Sequence, residues 1–137
     1  MKPLKNTHLS KDASARQDSA ARLAQVALKI FFGIAEEWQL STKEQRILLG
    51  DLPEATYFKW KSTLNAKPGR DILERISHLQ NIYKALRIIF PTLEQATAWP
   101  RKPNAAFGGK SALEVMLNGS ILDLARVHDY VDGARGW

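Results

Sequence analysis

The chain has 137 residues, 45% of them hydrophobic and 25% charged, which is typical of one globular domain or of two small units that share a core. This composition excludes a fibrous or wholly disordered protein, and the absence of cysteine excludes disulfides and thiolate metal sites. We expect no membrane span and no secretory signal, because no apolar run suits either. The formal net charge is +6, and residues 1–90 carry all of the excess, which favours a polyanionic partner for that part.

The chain begins with a polar segment, residues 1–19, which we predict to be a flexible tail. Asp18 or Ser19 is a suitable cap for a first helix at the end of this segment. From there, apolar side chains recur every three or four positions as far as Trp38, which predicts a helix with one buried face.

Two short helices are predicted next. A capping box at Ser41 and Glu44 begins the first of them, and Gly50 ends it. The second extends over residues 53–62, because a proline at position 53 is tolerated in a first helical turn. Two short helices joined by a tight turn have the layout of a helix-turn-helix.

A long helix is predicted over residues 71–90. Apolar residues spaced four and three apart form one continuous stripe along it, from Ile72 to Phe90. This pattern predicts the central core helix, with the same stripe as a candidate contact between subunits. Pro91 ends the helix.

The last third of the chain predicts three shorter helices. Capping boxes begin the first two at Thr92 and Ser111, with a loop over residues 99–110 between them, and Ser120 caps the third. We expect this last helix to end near Gly133 and to release a short C-terminal tail. Nothing in the chain alternates with a period of two, so the predicted fold class is all-α.

The sequence offers no convincing catalytic or metal-binding set. Its three histidines have no ligand partner at helical spacing, and we expect His78 and His128 to be ordinary helix residues. A Gly-Lys-Ser run at residues 109–111 is similar to the end of a phosphate-binding loop, but position 104 is asparagine and no strand precedes it. We therefore predict a protein that is not an enzyme and has no cofactor.

The helix-turn-helix predicts contact with DNA. Tyr57 and Trp60 are three positions apart in its second helix and are expected to pack inward. The opposite face and the segment after it offer side chains that can donate to phosphates or read base edges. These candidate DNA-binding residues are Glu54, Thr56, Lys59, Lys61, Lys67 and Arg70.

The last third of the chain resembles the toxin-binding domain of the Xre/MbcA/ParS antitoxins. The motifs that carry the resemblance are Pro103-Asn104, Phe107-Gly108, Ala112-Leu113-Glu114, Gly119, and a last helix with Gly133 near its end. The upstream part is similar to the Xre-like helix-turn-helix domain of the same family. The resemblance covers roughly residues 20–137 and implies three parts: a flexible tail over 1–19, a DNA-binding domain over 20–90 and a toxin-binding domain over 91–137.

The resemblance implies a cytoplasmic bacterial antitoxin of a type II toxin–antitoxin system. The usual partner of such an antitoxin is a RES-domain toxin that consumes NAD, and the antitoxin covers the active site of the toxin with its C-terminal end. It also implies a homodimer within a larger complex and repression of its own operon through operator DNA. The toxin-binding residues that it implies are Asn104, Arg126, Tyr130, Ala134, Arg135, Gly136 and Trp137.

Two other readings of the sequence stay open at this point. One is a stand-alone helix-turn-helix regulator without a toxin, which a neighbouring RES-domain gene would argue against. The other is a small enzyme or ligand-binding protein, which the lack of a convergent acid, base, nucleophile or metal set disfavours.

Overall fold

The computed structural model describes the backbone of residues 2–136 and the side chains of residues 12–136. Over this part the chain is all-α, as the sequence predicts, and its strand-like pairing is limited to one isolated bridge between Pro103 and Ser111. The helices are α1 Lys2–Glu37, α2 Thr42–Leu48, α3 Glu54–Thr63, α4 Arg70–Ile89, α5 Leu93–Ala98, α6 Ala112–Met116 and α7 Ile121–Ala134.

Helices α2 and α3 form the predicted helix-turn-helix. The Ser41 side chain accepts a hydrogen bond from the Glu44 backbone N–H at 3.0 Å, and the Glu44 carboxylate accepts one from the Ser41 N–H at 2.8 Å, which is a complete capping box. The turn that follows has two left-handed residues, Gly50 (φ 91°) and Asp51 (φ 61°). Such a conformation favours glycine, so the position that ends α2 in the sequence also shapes the turn.

Helix α4 is the centre of the molecule. It packs against α1 and α7. Half of the apolar stripe predicted along it is buried, with Ile76, Leu79 and Leu86 at 2% exposure or less, and the other half is partly buried and packs against the core. The buried side chains of the helix-turn-helix part and of the C-terminal part belong to one hydrophobic cluster. The apolar stripe of α4 is therefore core, and the stripe is not free to form a subunit contact.

Helices α5 to α7 and two short 3₁₀ turns, Trp99–Arg101 and Ala105–Phe107, form the C-terminal part. The expected loop over residues 99–110 is thus more regular than the sequence indicates. Arg101 connects this part to the end of α1, because its guanidinium donates to the backbone oxygens of Trp38 at 3.2 Å and Gln39 at 2.8 Å. These bonds satisfy carbonyls that a helix end leaves free.

The start of α1 differs from the prediction. The sequence indicates a cap at Asp18 or Ser19 after a flexible tail, whereas α1 begins at Lys2. Half of residues 2–19 are good helix formers (Ala, Leu, Lys, Arg or Gln), the segment has no glycine, and Pro3 lies in the first turn, where proline is tolerated. Hydrophobic periodicity detects a helix by its buried face, and this segment shows no such face because its described side chains are exposed.

Candidate DNA-binding and toxin-binding surfaces

A buried polar network fixes α3 on α2. The Tyr57 hydroxyl donates to Oε1 of Gln45 at 2.6 Å, and Nε2 of Gln45 donates to the Leu40 backbone oxygen at 2.9 Å. Tyr57 and Trp60 both lie in the core, which confirms that they pack inward. Because buried polar groups that are fully paired hold one arrangement, this network sets which face of α3 meets solvent.

The structure brings four of the predicted DNA-binding residues to α3. Lys59 and Lys61 are exposed, Thr56 is half-buried, and Glu54 lies at the start of the helix, 3.9 Å from the Arg46 guanidinium. An ion pair at that distance orients Glu54 towards α2, so Lys59 and Lys61 supply the exposed positive charge of the face, with Lys61 Nζ 5.9 Å from the Tyr57 ring centroid.

The other two predicted DNA-binding residues lie beyond α3. Lys67 is exposed on the connection to α4, and Arg70 begins α4, where it pairs with Glu74 at 2.9 Å. Sequence reasoning missed Phe58, whose side chain is 48% exposed on α3 next to the Tyr57 ring. An exposed aromatic side chain on this helix can contact a thymine methyl group or a sugar. In the sequence, the only indication of this role is that Phe58 lies between the inward-facing Tyr57 and the exposed Lys59.

Asn104 organises the loop before α6. Its side chain accepts from the Ala106 N–H at 2.9 Å, and its carbonyl accepts from the N–H groups of Phe107 and Gly109, each at 3.0 Å. The side chain is thus committed to the loop itself. Asn104 therefore fixes the shape of this loop and of the surface that the loop forms with α7.

That surface is an aromatic cluster between the loop and α7. The Tyr130 ring stacks on Trp99 with centroids 6.1 Å apart and meets the edge of Phe107 at 5.1 Å. The Arg126 guanidinium lies 5.3 Å from the Phe107 ring centroid. Aromatic rings packed together beside a planar cation are typical of interface anchors.

One face of α7 continues this cluster into solvent. Leu122, Arg126 and Tyr130 are four residues apart and all exposed, Leu122 at 75% and Tyr130 at 38%. We call these three residues the outer face of α7. Side chains at this spacing lie one above the other, so they form a continuous strip that a partner can cover.

The end of α7 corrects the predicted tail. The helix continues through Gly133 to Ala134, and Arg135 caps it, with its backbone N–H bonded to Val131 and its guanidinium 3.8 Å from the Asp132 carboxylate. Because glycine is tolerated in a last helical turn, Gly133 does not end the helix. Ala134 and Arg135 are therefore not on a free tail, Gly136 (φ 85°) is exposed after the helix, and Trp137 lies outside the described residues.

Two histidines expected to be ordinary helix residues meet across α4 and α7. Nδ1 of His78 lies 2.9 Å from Nδ1 of His128, and Nε2 of His128 lies 3.2 Å from the Asp132 carboxylate. Burial, and secondly the neighbouring His128, lower the pKa of His78 below its ordinary value of 6.5. No local signal could have revealed a pair of residues so far apart in sequence.

The described residues contain neither a metal-binding cluster nor a membrane-spanning helix. No group of three or more histidine, cysteine or acidic side chains there is placed to hold a metal ion. None of the helices in this part is both long and apolar enough to cross a membrane.

The helix-turn-helix with its basic outer face, joined to a second helical part, defines a protein of the helix-turn-helix class. The family model of the antitoxin Xre-like helix-turn-helix domain matches residues 19–81, and that of the antitoxin Xre/MbcA/ParS C-terminal toxin-binding domain matches residues 85–136. The chain belongs to the Xre/MbcA/ParS antitoxin family. It is also 45% identical over 124 residues to y4oB, an uncharacterized protein of Sinorhizobium fredii, with 90% of this chain and 94% of y4oB covered.

Proposed function

We propose that this chain is the antitoxin of a type II system, that it neutralises an NAD-consuming RES-domain toxin, and that it represses its own operon. The observation that carries the proposal is the presence of two chemically different surfaces on one core. The outer side of α3 is basic, whereas the outer face of α7 combines an aliphatic, a cationic and an aromatic side chain. The toxin-binding domain that matches the second part favours an antitoxin over a stand-alone regulator.

The outer face of α7 is the proposed docking strip for the toxin. Tyr130 is held by Trp99 and Phe107, and Arg126 is held over Phe107, so these side chains lose little freedom when a partner covers them. The strip leads along α7 to Gly136, and we propose that the C-terminal residues 136–137 enter the NAD pocket of the toxin. Arg135, which caps α7 and lies beside Asp132, would lie at the mouth of the pocket.

This docking proposal predicts two separable defects. Leu122→Asp should abolish co-purification with the toxin, whereas deletion of residues 136–137 should keep the complex and restore NAD consumption within it. Ile88→Asp is the matched control, because Ile88 is also an exposed aliphatic residue, at 62%. Pull-down and an NAD assay on the co-expressed pair measure both effects.

Two results would contradict the proposal. A complex that stays fully inhibited without residues 136–137 would mean that inhibition comes from another surface. Failure of the wild-type chain to bind the RES-domain product of a neighbouring gene would favour the stand-alone regulator.

The DNA-binding proposal places α3 in a major groove, with Lys59 and Lys61 as its exposed positive charges. Replacing both with glutamate should abolish the mobility shift of the DNA upstream of the coding sequence and leave toxin neutralisation intact. Lys102→Glu with Lys110→Glu is the control, because both residues are exposed in the C-terminal part and the change in charge is the same. A shift that survives in the Lys59 and Lys61 variant would exclude α3 as the DNA contact.

We propose a homodimer as the DNA-binding species, since a dimer can engage two half-sites about one helical turn apart. The α4 stripe is a poor candidate for its contact, because the stripe is core or packs against the core. We therefore place the contact on the C-terminal helices. A monomer in light scattering of the free protein at micromolar concentration would argue against the dimer.

A further inference from the structure

The first half of α1 has no packing role that its described side chains reveal. The helix has 36 residues and is therefore about 54 Å long. Every described side chain from Asp12 to Leu23 is exposed, and the first buried one is Ala24. We call residues 2–23 the N-terminal arm; it is about 33 Å long, close to one helical turn of DNA.

The N-terminal arm carries half of the net positive charge of the chain. Its five basic residues oppose two acidic ones, Asp12 and Asp18. Arg16 and Arg22 are exposed, and each donates its Nε–H to a backbone oxygen one turn earlier, that of Asp12 at 3.3 Å and that of Asp18 at 3.4 Å. The basic residues are Lys2, Lys5, Lys11, Arg16 and Arg22.

The arm lies beside the proposed DNA-binding side of the molecule. A cleft of about 580 Å³ lies between the end of the arm and the connection between α3 and α4, and Lys67 lines its far wall. On the side of α1 the lining residues are Gln17, Asp18, Ala20, Ala21, Leu23 and Ala24, so Arg16 and Arg22 flank the cleft in sequence without lining it. Lys67 is one of the candidate DNA-binding residues, and a duplex seated on α3 and Lys67 would therefore pass close to this end of the arm.

An occupant of this surface has to suit a positive, mostly polar helix. The described side chains of the arm are exposed and so contribute little packing, and an external partner that stabilises the helix is therefore favoured. The excess of charge selects a polyanion, and the arm's position beside α3 selects the same duplex that α3 meets.

We propose that the N-terminal arm contacts the phosphates that flank the sequence read by α3, with Arg16 and Arg22 among the contacting side chains. This inference rests on the proposed DNA binding. Phosphate contacts supply affinity without reading sequence, so the arm would strengthen binding to every duplex of sufficient length. It would also make that binding more sensitive to salt, since each phosphate contact releases a counterion.

The test is a salt titration of binding to the DNA upstream of the coding sequence and to a random duplex of equal length. Neutralising Arg16 and Arg22 with glutamine should reduce the slope of log K against log salt by about two for both duplexes. The affinity lost between 50 and 200 mM salt should then shrink by about tenfold. Lys84→Gln with Lys102→Gln is the matched control, because it removes two exposed charges away from the arm and should leave the slope unchanged.

Each other outcome has a separate meaning. An unchanged slope for Arg16→Gln with Arg22→Gln, in a protein whose binding still requires Lys59 and Lys61, would overturn the arm contact alone. An effect on light scattering or on toxin co-purification, with the slope unchanged, would make the arm a protein contact and overturn the proposal too. If the wild-type protein binds neither duplex, the proposed DNA binding itself fails.

Discussion

The contact between His78 and His128 depends on where one proton lies. In the neutral tautomer of His128 that donates Nε2–H to Asp132, Nδ1 is an acceptor, and the His78 Nδ1–H can then donate to it. If both rings were protonated, two N–H donors and two positive charges would meet at the Nδ1–Nδ1 distance of 2.9 Å. Glu74 on α4 and Asp129 on α7 oppose this effect, since each favours a charged His78.

The lowered pKa of His78 predicts that stability falls in mild acid. A histidine whose pKa is lower in the folded than in the unfolded state stabilises the fold above the unfolded value of 6.5, and that contribution is lost as the pH falls through the folded value. Between about pH 7.5 and about pH 5, the midpoint of urea unfolding should therefore fall more in the wild type than in His78→Gln.

The His128→Gln variant is the companion measurement for this pair. It also removes the second positive charge, so its midpoint should change with pH less than that of the wild type. Parallel curves for the wild type and His78→Gln would show that the pair does not contribute to the pH dependence.

At the scale of the element, the sequence predicts those helix starts that are determined by contacts between residues close together in the chain. The Ser41–Glu44 and Ser111–Glu114 capping boxes are both present, and Ser120 caps α7 as predicted. These contacts join residues three positions apart, so their geometry is set as soon as the helix begins. Thr92 is a weaker case, because its side chain accepts from the Gln95 N–H but no reciprocal bond to its own backbone is present.

The ends of α1 and α7 could not be predicted for a different reason. The start of α1 has helix formers but no buried face, and Gly133 is a typical end signal that α7 nevertheless includes. Helix ends of this kind depend on small differences in helix propensity, and the hydrogen bonds near the end determine which residue is the last one in the helix. In α7 the bonds from the Arg135 N–H to the carbonyls of Val131 and Asp132 favour helix as far as Ala134, one residue beyond Gly133.

The candidate surfaces were predicted in part. Lys59, Lys61 and Lys67 are exposed, as their positions in the helix-turn-helix pattern imply. The stacking of Trp99 on Tyr130, in contrast, joins a 3₁₀ turn to α7 and depends on the packing of the whole C-terminal part. Contacts between residues distant in sequence carry no signal in a single chain, which is why neither this stacking nor the histidine pair was predicted.

At the scale of the whole molecule, the two matched parts share one core and are joined by Arg75. Its guanidinium pairs with Asp71 at 2.8 Å and donates to the Gly119 backbone oxygen at 2.9 Å, before the start of α7. It also lies 3.4 Å from the Leu48 backbone oxygen, at the end of α2. One buried side chain on α4 thus satisfies carbonyls from both the helix-turn-helix and the C-terminal part.

This arrangement predicts a large effect for Arg75→Met. The substitution keeps the apolar length of the side chain but leaves the two carbonyls without their charged donor. We expect a loss of about 2–4 kcal/mol in the free energy of unfolding, because buried acceptors lose charge-assisted hydrogen bonds. The Asp71 carboxylate adds little to this loss, since its side chain is 60% exposed and water can solvate it.

Arg70→Met is the matched control for Arg75→Met. Arg70 makes the same kind of ion pair, with Glu74 four residues later at 2.9 Å, but its side chain is 93% exposed against 9% for Arg75. An exposed pair contributes almost nothing to stability, so this variant should unfold like the wild type.

Urea unfolding followed by tryptophan fluorescence and by helical circular dichroism would measure both variants. Because the two parts share one core, Arg75→Met should lower the midpoints of both signals together. Equal stability of the two variants would show that burial gives Arg75 no special role. Loss of one signal ahead of the other would contradict the expected single transition and would show that the shared core alone does not couple the two parts.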